Sequence, residues 1–272
     1  MQSITDKNNF IKYLYCAFGH IAYTYVCTVT IYKHHIGLLT GILIIFFALL
    51  YSIHLTETQL LAETSVPVAF PYKNIALTFD DGPYGNSTQQ VLDILKNNDV
   101  KATFFIVGKN AEHYPSQVIA EVADGHIIGN HSYNHAHLGH VPLSQLKNNL
   151  QQAERVIQSL TGLRPHLFRA PYGDTSPSAI KEIQHEGYVV VGWTVDPNDW
   201  NDNKMSSDAI IQYVITHARQ NSIVLLHDGR DTQVNYSRDN MIGALPQIII
   251  RLKQHGYRFV TADKILNQKP YY

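Results

Sequence analysis

The stretch IALTFDDGPYG, residues 75–85, joins a short apolar run to two adjacent carboxylates and a turn. Residues 75–79 are predicted to form a buried strand, and Asp80 and Asp81 stand at its end, just before Gly82. Asp-Gly is ordinary turn chemistry, so the motif taken alone favours a structural role. The residues that follow along the chain decide whether the two acids have separate chemical roles.

Short apolar runs recur after this strand, and longer amphipathic segments lie between them. The further predicted strands are 102–107, 126–129, 167–170, 188–195, 222–226 and 258–261. The predicted helices are 87–98, 143–160, 176–185, 207–219 and 240–255. This alternation is typical of an α/β protein with parallel βα units. It predicts a closed or nearly closed barrel of seven βα units, slightly smaller than the eightfold barrel, with an open doubly wound sheet as the alternative.

Two kinds of signal mark where these helices begin and end. Ser176 followed by Pro177 predicts an N-cap with proline at the first helical position. Gly125, Gly187 and Gly256 follow the ends of helical runs, where glycine tolerates the left-handed closing conformation. The helices are therefore predicted to be separate elements, each returning the chain to the next strand.

Chemically capable side chains follow five of the predicted strands. They are Asp80 and Asp81 after the first strand, His131 and His135 after the third, Arg169 and Tyr172 after the fourth, Asp196 and Asp199 after the fifth, and His227 and Asp228 after the sixth. In an α/β barrel the active site lies at the C-terminal ends of the strands. The sequence therefore predicts one polar site at that edge.

Part of this set has the composition of a metal site. The motif HSYNH, residues 131–135, spaces two imidazoles by four residues, although one such pair among 15 histidines is close to chance. Together with Asp81, His131 and His135 would offer one oxygen and two nitrogen ligands. Three protein ligands leave positions open for water and substrate, as in catalytic rather than structural zinc sites.

The N-terminal segment differs in composition from the rest of the chain. Residues 36–55, IGLLTGILIIFFALLYSIHL, are long and apolar enough to cross about 30 Å of hydrocarbon as a helix. Lysines precede this run and Glu57 and Glu63 follow it, which predicts a cytoplasmic N-terminus and a C-terminal part outside the membrane. The expected divisions are a cytoplasmic or interfacial segment at 1–35, a transmembrane anchor at 36–55, a linker at 56–73 and a main domain at 74–268. A cleaved signal peptide is the alternative and would give a secreted protein.

The composition limits which binding partners and which kinds of metal or disulfide site are expected. The formal net charge of the 272 residues is -1, which gives no reason to expect nucleic acid as a partner. The two cysteines, Cys16 and Cys27, both precede the apolar run. The main domain therefore has neither a disulfide framework nor a thiolate metal site.

Five motifs occur in order along the main domain: TFDDG at 78–82, HSYNH at 131–135, RAPYG at 169–173, DPNDW at 196–200 and LLHD at 225–228. Each is weak alone, but together they resemble the signature motifs of the polysaccharide deacetylase family, carbohydrate esterase family 4. Ala170 stands where many members have proline. The resemblance covers residues 74 to about 265 and implies a deformed barrel of about seven βα units, with 74–268 as the catalytic domain.

The resemblance also implies a division of roles among the residues of the site. Asp81, His131 and His135 would hold a divalent metal, with zinc as the first choice and cobalt, manganese or nickel as alternatives. Asp80 would be the general base, held by Arg169. His227 would be the general acid, and its proposed partner is Asp199. The Tyr172 backbone N–H would meet the oxyanion, and Trp200 and Leu225 would line the pocket for the acetyl methyl group.

The expected activity is removal of acetyl groups from N-acetylglucosamine units of peptidoglycan or a chitin-like glycan by a membrane-anchored, monomeric hydrolase. One alternative is an O-deacetylase of acetylated xylan or a similar ester. Another is a non-catalytic glycan-binding protein, which predicts that a catalytic or metal position is lost, and none is. A zinc peptidase would need an arrangement such as His-Glu-x-x-His, which is absent.

Overall fold

The structure, a computed structural model, describes residues 47–51, 72–201, 204–230 and 238–272. Residues 47–51 are helical and exposed. None of the helices in these ranges is both long and apolar enough to cross a membrane. The predicted anchor at 36–55 lies outside the described residues except for 47–51. The predicted segment 1–35 lies wholly outside them, as does the linker apart from residues 72 and 73.

The second compact unit of the chain, Pro71–Tyr272, is built around one parallel sheet. Its strands are β1 (Lys73–Asp80), β2 (Thr103–Ile106), β3 (Ile127–Asn130), β4 (Leu167–Phe168), β5 (Val189–Val190), β6 (Ser222–His227) and β7 (Tyr257–Phe259). The order across the sheet is β5-β4-β3-β2-β1-β6, and β7 pairs with β1. From Ile75 to Asp80 every residue of β1 is buried, as expected for a parallel strand covered on both faces.

Helices connect the strands. They are α1 (Gly85–Asn97), α2 (Gly108–His113), α3 (Pro115–Ala123), α4 (Leu143–Thr161), α5 (Pro177–His185), α6 (Ser207–His217), α7 (Asp239–Gln254) and α8 (Ala262–Leu266). Apolar residues of α1, α6 and α7 pack with those of β1, β2 and β6 in the largest hydrophobic cluster. The helices therefore cover the outer face of the sheet.

The sheet curls until its two ends approach each other. After β5 the chain reaches β6, where Val195 forms a parallel bridge with Val224. A smaller cluster joins Ala76, Phe105, Leu167 and Ile223, which belong to β1, β2, β4 and β6, with Val191, which directly follows β5, and Ala262 of α8. Because β5 and β6 stand at opposite ends of the strand order, Val191 and Ile223 meet in one core only if the sheet bends around it. This favours the barrel over the open doubly wound sheet.

The predicted parallel α/β architecture is thus confirmed, with one correction. The fourth and fifth strands are two residues long rather than four and eight, because the chain at 169–173 and 191–195 leaves the ladder to form the edge of a cleft. The seventh strand, β7, pairs with Lys73–Ile75 of β1. It lies on the same side of β1 as β2, whose own pairing with β1 begins only at Thr78.

All five predicted helices are present, with ends that differ by one or two residues. Ser176 caps α5 as predicted, since its Oγ accepts a hydrogen bond from Ala179 N–H at 3.2 Å. The short helices α2, α3 and α8 were not among the predicted segments. The C-terminal ends of β1, β3, β4 and β6 lie at one edge of the curled sheet, where the predicted site residues meet.

Candidate active site

A cleft of about 490 Å³ opens at the C-terminal ends of the strands. Eight of the ten predicted site residues line it: Asp80, Asp81, His131, His135, Tyr172, Trp200, Leu225 and His227. The other two, Arg169 and Asp199, are completely buried and contact lining residues from behind. The fold thus brings residues that are up to 147 positions apart in the sequence (80 to 227) into one site.

Asp81 lies at the centre of a cluster with two histidines. Its Oδ1 is 3.3 Å from Nε2 of His131 and 3.0 Å from Nε2 of His135. All three side chains are at least nine-tenths buried. His131 directs Nε2 at Asp81 because its Nδ1 lies 2.9 Å from the Arg169 carbonyl oxygen, the hydrogen-bond partner that fixes the ring.

The donor set of this cluster fits a divalent cation. Ligand atoms of Asp81, His131 and His135 all lie within 4.8 Å of one another. Oδ1 of Asp81 is buried and accepts no hydrogen bond from the described residues, although the Nε2 atoms of both imidazoles lie close to it. Burial alone would raise the pKa of the Asp81 carboxyl, but His131, His135 and the charge of His227 hold it well below its usual range. One ionised oxygen and two nitrogens is a ligand set that suits zinc and other first-row divalent ions.

Asp80 faces a different partner from its neighbour. Its Oδ1 accepts a hydrogen bond from Nη1 of Arg169 at 2.7 Å, whereas its Oδ2 is 3.7 Å from His131 Nε2. Asp81 has a φ of 72°, in the left-handed region, so the backbone turns between the two carboxylates and aims them differently. Adjacent acids thereby occupy two distinct electrostatic environments.

Arg169 is held in place through almost all of its polar atoms. Besides Asp80, it donates to Thr78 Oγ1 at 2.8 Å and to the carbonyls of Val191 and Gly192 at 3.3 and 3.1 Å. The guanidinium also lies over the Phe105 ring, 4.1 Å from the centroid. Arg169 therefore crosses the interior of the curled sheet from β4 to β1 and presents a fixed positive charge to Asp80.

His227 ends β6 opposite Asp80, with which it is paired in the ladder. Its Nδ1 is 2.8 Å from Asp199 Oδ1, and its backbone N–H donates to Asp199 Oδ2 at 2.9 Å. Burial would lower the pKa of His227, but the Asp199 charge and hydrogen bond raise it to about 9. A histidine held at Nδ1 and protonated at neutral pH presents an Nε2–H donor to the cleft.

The remaining predicted residues form the rim and wall of the cleft. The Tyr172 and Trp200 side chains are substantially exposed, whereas Leu225 is buried in β6. Asp81, His135, Tyr172 and Asn198 all adopt positive φ, and such strained non-glycine residues tend to cluster at functional sites.

Several lining residues were not predicted from the sequence. They are Ala170, Gly173, Trp193, Asn198, Arg230 and Arg238. Asp196, which follows the fifth predicted strand, also lines the cleft, but the family resemblance gives it no role. Arg238 is buried and donates from Nε to the Gly229 carbonyl at 3.0 Å. It follows no predicted strand and belongs to no motif, so the sequence carried no local signal for it.

Comparisons of the sequence with known proteins agree on one family. Residues 68–191 match the family described as polysaccharide deacetylase. A peptidoglycan-N-acetylglucosamine deacetylase from Bacillus cereus is 38% identical over 193 residues, which are 70% of this chain and 68% of that protein. The peptidoglycan-N-acetylmuramic acid deacetylase PdaC from Bacillus subtilis is 33% identical over 71% of this chain and 38% of its own length.

A comparison of folds gives the same result. The Bc1960 peptidoglycan N-acetylglucosamine deacetylase superposes with a TM-score of 0.69 at 33% sequence identity. The superposition covers 75% of this chain and 92% of that one.

Proposed function

The chain belongs to the polysaccharide deacetylase family, and on that basis we propose that it hydrolyses the acetamido groups of N-acetylglucosamine units in peptidoglycan. One observation carries the proposal. The buried cluster of Asp81, His131 and His135 lies in the same cleft as two further groups. These are a carboxylate fixed by arginine and an imidazole fixed by aspartate. Amide hydrolysis needs those three components together.

Asp81, His131 and His135 would hold a divalent cation, with zinc as the first choice. When bound, such a cation would polarise the acetyl carbonyl as a Lewis acid and lower the pKa of water to about 7. Asp80 accepts the proton of the attacking water at Oδ2. Its Oδ1 accepts a hydrogen bond from Arg169 Nη1, which fixes the orientation of the carboxylate.

His227 completes the proton balance on the opposite side of the scissile bond. Its Nε2–H protonates the leaving amine, so that the C–N bond breaks into acetate and a free amino sugar. Asp199 holds Nδ1 and keeps the imidazole charged until that step. Because Asp80 and His227 are paired across β1 and β6, the base and the acid lie on neighbouring strands.

Two further groups of the cleft stabilise and accommodate the reacting acetyl group. The backbone N–H of Tyr172 donates to the developing oxyanion, and such a donor is typically worth about 3–4 kcal/mol. Leu225 and Trp200 contact the acetyl methyl group, for which apolar surface is appropriate.

The choice of sugar and polymer is supported by the relatives. One similar protein is named for N-acetylglucosamine and another for N-acetylmuramic acid of peptidoglycan. The proposal commits to N-acetylglucosamine, because the relative with the higher identity and coverage carries that name. N-acetylmuramic acid and acetylated xylan are the competing outcomes of the test.

The test measures acetate released by the purified protein from peptidoglycan, chitin oligomers and acetylxylan, with loss of activity on chelation and recovery with zinc. Mass spectrometry of muropeptides then identifies the sugar that lost its acetyl group. Deacetylated glucosamine supports the proposal. Deacetylated muramic acid, release from acetylxylan alone, or no release from any substrate would contradict it.

We also propose that the protein acts outside the cytoplasmic membrane, tethered by residues 36–55. The apolar length of this run and the lysines before it support the proposal. Fractionation of cells that express the full chain tests it. Carbonate-resistant membrane association with a protease-accessible catalytic domain is expected, and a soluble cytoplasmic protein would overturn it.

A further inference from the structure

The Tyr172 backbone, to which the proposed function assigns the oxyanion, has an unusual conformation. Its φ of 60° and ψ of 7° lie in the left-handed region, which an aromatic residue adopts only when its surroundings hold it there. The turn contributes two hydrogen bonds, from Gly173 N–H to the Ala170 carbonyl at 3.0 Å and from Asp174 N–H to the Pro171 carbonyl at 2.9 Å. The contacts of the Tyr172 ring are a further restraint.

Two histidines contact that ring. His137 stacks on it, with ring centroids 4.0 Å apart and planes inclined by 14°. His135 meets it at 4.5 Å with an inclination of 63°. The Tyr172 ring thus connects His137 to His135, a residue of the buried metal-site cluster, and aromatic contacts of this kind stabilise beyond the area they bury.

His137 is itself held by the turn that carries Tyr172. Its Nδ1 is 3.3 Å from Asp174 Oδ2, and Asp174 follows Tyr172 by two residues. The Asp174 carboxylate is packed so closely against Gly139 that a Cβ at this glycine would meet it. Tyr172 contacts His137, His137 contacts Asp174, and Asp174 belongs to the same turn as Tyr172. These contacts hold the 171–174 turn against the segment after His135.

We propose that His137 is a positioning residue, which holds the Tyr172 backbone N–H in the orientation that oxyanion stabilisation needs. His137 is not among the residues that line the cleft, so it acts through Tyr172 rather than by touching substrate. The inference rests on the proposed function. Nothing in the family motifs requires a histidine at this position, which follows the HSYNH motif by two residues.

The test compares three variants. His137→Ala removes the stack, and His137→Phe keeps the stack but loses the Asp174 contact. His140→Ala is the matched control, because His140 also lies near Asp174, at 3.5 Å, and is exposed. We expect His137→Ala to lower kcat about tenfold, the scale of a small misplacement of a catalytic group, with little change in KM. His137→Phe restores most of that loss, and His140→Ala leaves kcat unchanged.

A second measurement needs no activity. Amide hydrogen exchange at Gly173 and Asp174 reports on the turn directly, and we expect faster exchange in His137→Ala than in His140→Ala. Unchanged kcat and exchange in His137→Ala, equal effects of the two alanine variants, or no rescue by phenylalanine would each overturn the inference. A wild-type protein inactive on every glycan overturns the proposed function instead, and the exchange rates then decide whether His137 holds the turn.

Discussion

At the scale of single residues, the adjacent acids Asp80 and Asp81 illustrate how one turn separates two functions. The positive φ of Asp81 directs its carboxylate to the two histidines, while Asp80 remains bound to Arg169. One aspartate therefore faces the two histidines of the candidate metal site, and the other is bound to the positively charged guanidinium of Arg169. The two positions are therefore expected to respond differently to the same substitution.

Asp80→Asn should abolish most activity while leaving metal binding intact. The amide retains a hydrogen-bond acceptor but cannot take a proton, and general base catalysis is worth about 10²–10⁴ in rate. Acetate release and zinc content measured on the same sample separate the two effects. Asp81→Asn is the matched comparison, because we expect it to lose zinc as well. Full activity in Asp80→Asn would eliminate this carboxylate as the base.

The pairing of Asp199 with His227 predicts a shift in the pH profile. Activity should fall on the alkaline side as the acid loses its proton, with a wild-type pKa of about 9. Asp199→Asn removes the main cause of the raised pKa, so the alkaline limb of kcat/KM should move to lower pH by about one unit or more. Asp124→Asn, which neutralises a carboxylate paired with Lys96, should leave the limb in place. An unmoved limb in Asp199→Asn would contradict the pairing.

The same pair has a consequence for stability. The folded pKa of His227 is about 9 and its ordinary value is 6.5. A raised pKa means that the protonated group stabilises the fold fully below about pH 6.5, and that this stabilisation is lost as the pH rises through about 9. Asp199→Asn should therefore cost more unfolding free energy at pH 6 than at pH 10. Urea unfolding at the two pH values measures the difference.

At the scale of elements, the junction between β6 and β1 keeps the two acids in place. Asp228 N–H donates to the Asp80 carbonyl at 3.2 Å, and the side-chain amide of Asn110 donates to the Asp81 carbonyl at 2.8 Å. Gly229 packs against this backbone so tightly that an added Cβ would meet the carbonyl oxygen of Asp81. Only a residue without a side chain fits at this point.

Gly229→Ala should therefore destabilise the protein and reduce activity together. The obstacle is backbone, which cannot rotate away, and overpacking of this kind typically costs about 1–3 kcal/mol. Gly192→Ala is the control, since a Cβ there meets no atom of the described residues within 4 Å and its backbone needs no positive φ. Urea unfolding and acetate release should show a loss only in Gly229→Ala. Equal stability of the two variants would contradict the tight packing at this junction.

The sequence predicted those elements whose hydrophobic periodicity extends over several turns. The five predicted helices exist because each repeats its apolar face over several turns, as α4 does with Leu146, Leu150 and Ile157. The helices α2 and α8, of six and five residues, are too short to show a period. The pairing of β7 with β1 could not be predicted, because it depends on where β2 begins its own pairing.

The site was predictable to the extent that its residues follow strands or belong to motifs. His131 and Asp81 met both conditions, and the structure brings them together. Trp193 and Arg238 met neither, and they reach the cleft only because the chain after β5 and the start of α7 close over it. Their placement depends on tertiary packing, for which the local sequence carries no signal.

At the scale of the whole molecule, the curled sheet explains how the candidate metal site can be buried and still accessible. Side chains of five strands fill the interior, and the acids and histidines stand above them at the open edge. The cluster of Asp81, His131 and His135 therefore has apolar side chains below it and polar side chains around the opening of the cleft. A cation bound there would be tied to segments that follow β1 and β3, so its removal should loosen the domain as a whole.

Zinc should raise the melting temperature of the metal-free protein, because the ion binds the folded chain far better than the unfolded one. At about 100 times its dissociation constant the ion adds about 2.7 kcal/mol, or roughly 5–10 °C for a domain of this size. Calorimetry and metal analysis before and after chelation measure both quantities.

Two alanine variants show which histidines are responsible, since a second group of possible ligands, Glu182, His185 and Glu186, lies on α5 and the residue after it. His135→Ala should remove both the bound zinc and the thermal shift. His185→Ala should retain both, because Glu186 is already paired with Lys147 at 2.6 Å and His185 is exposed to water. Retained zinc in His135→Ala, or loss of zinc in His185→Ala, would show that the metal binds outside the cleft and would contradict the proposed chemistry.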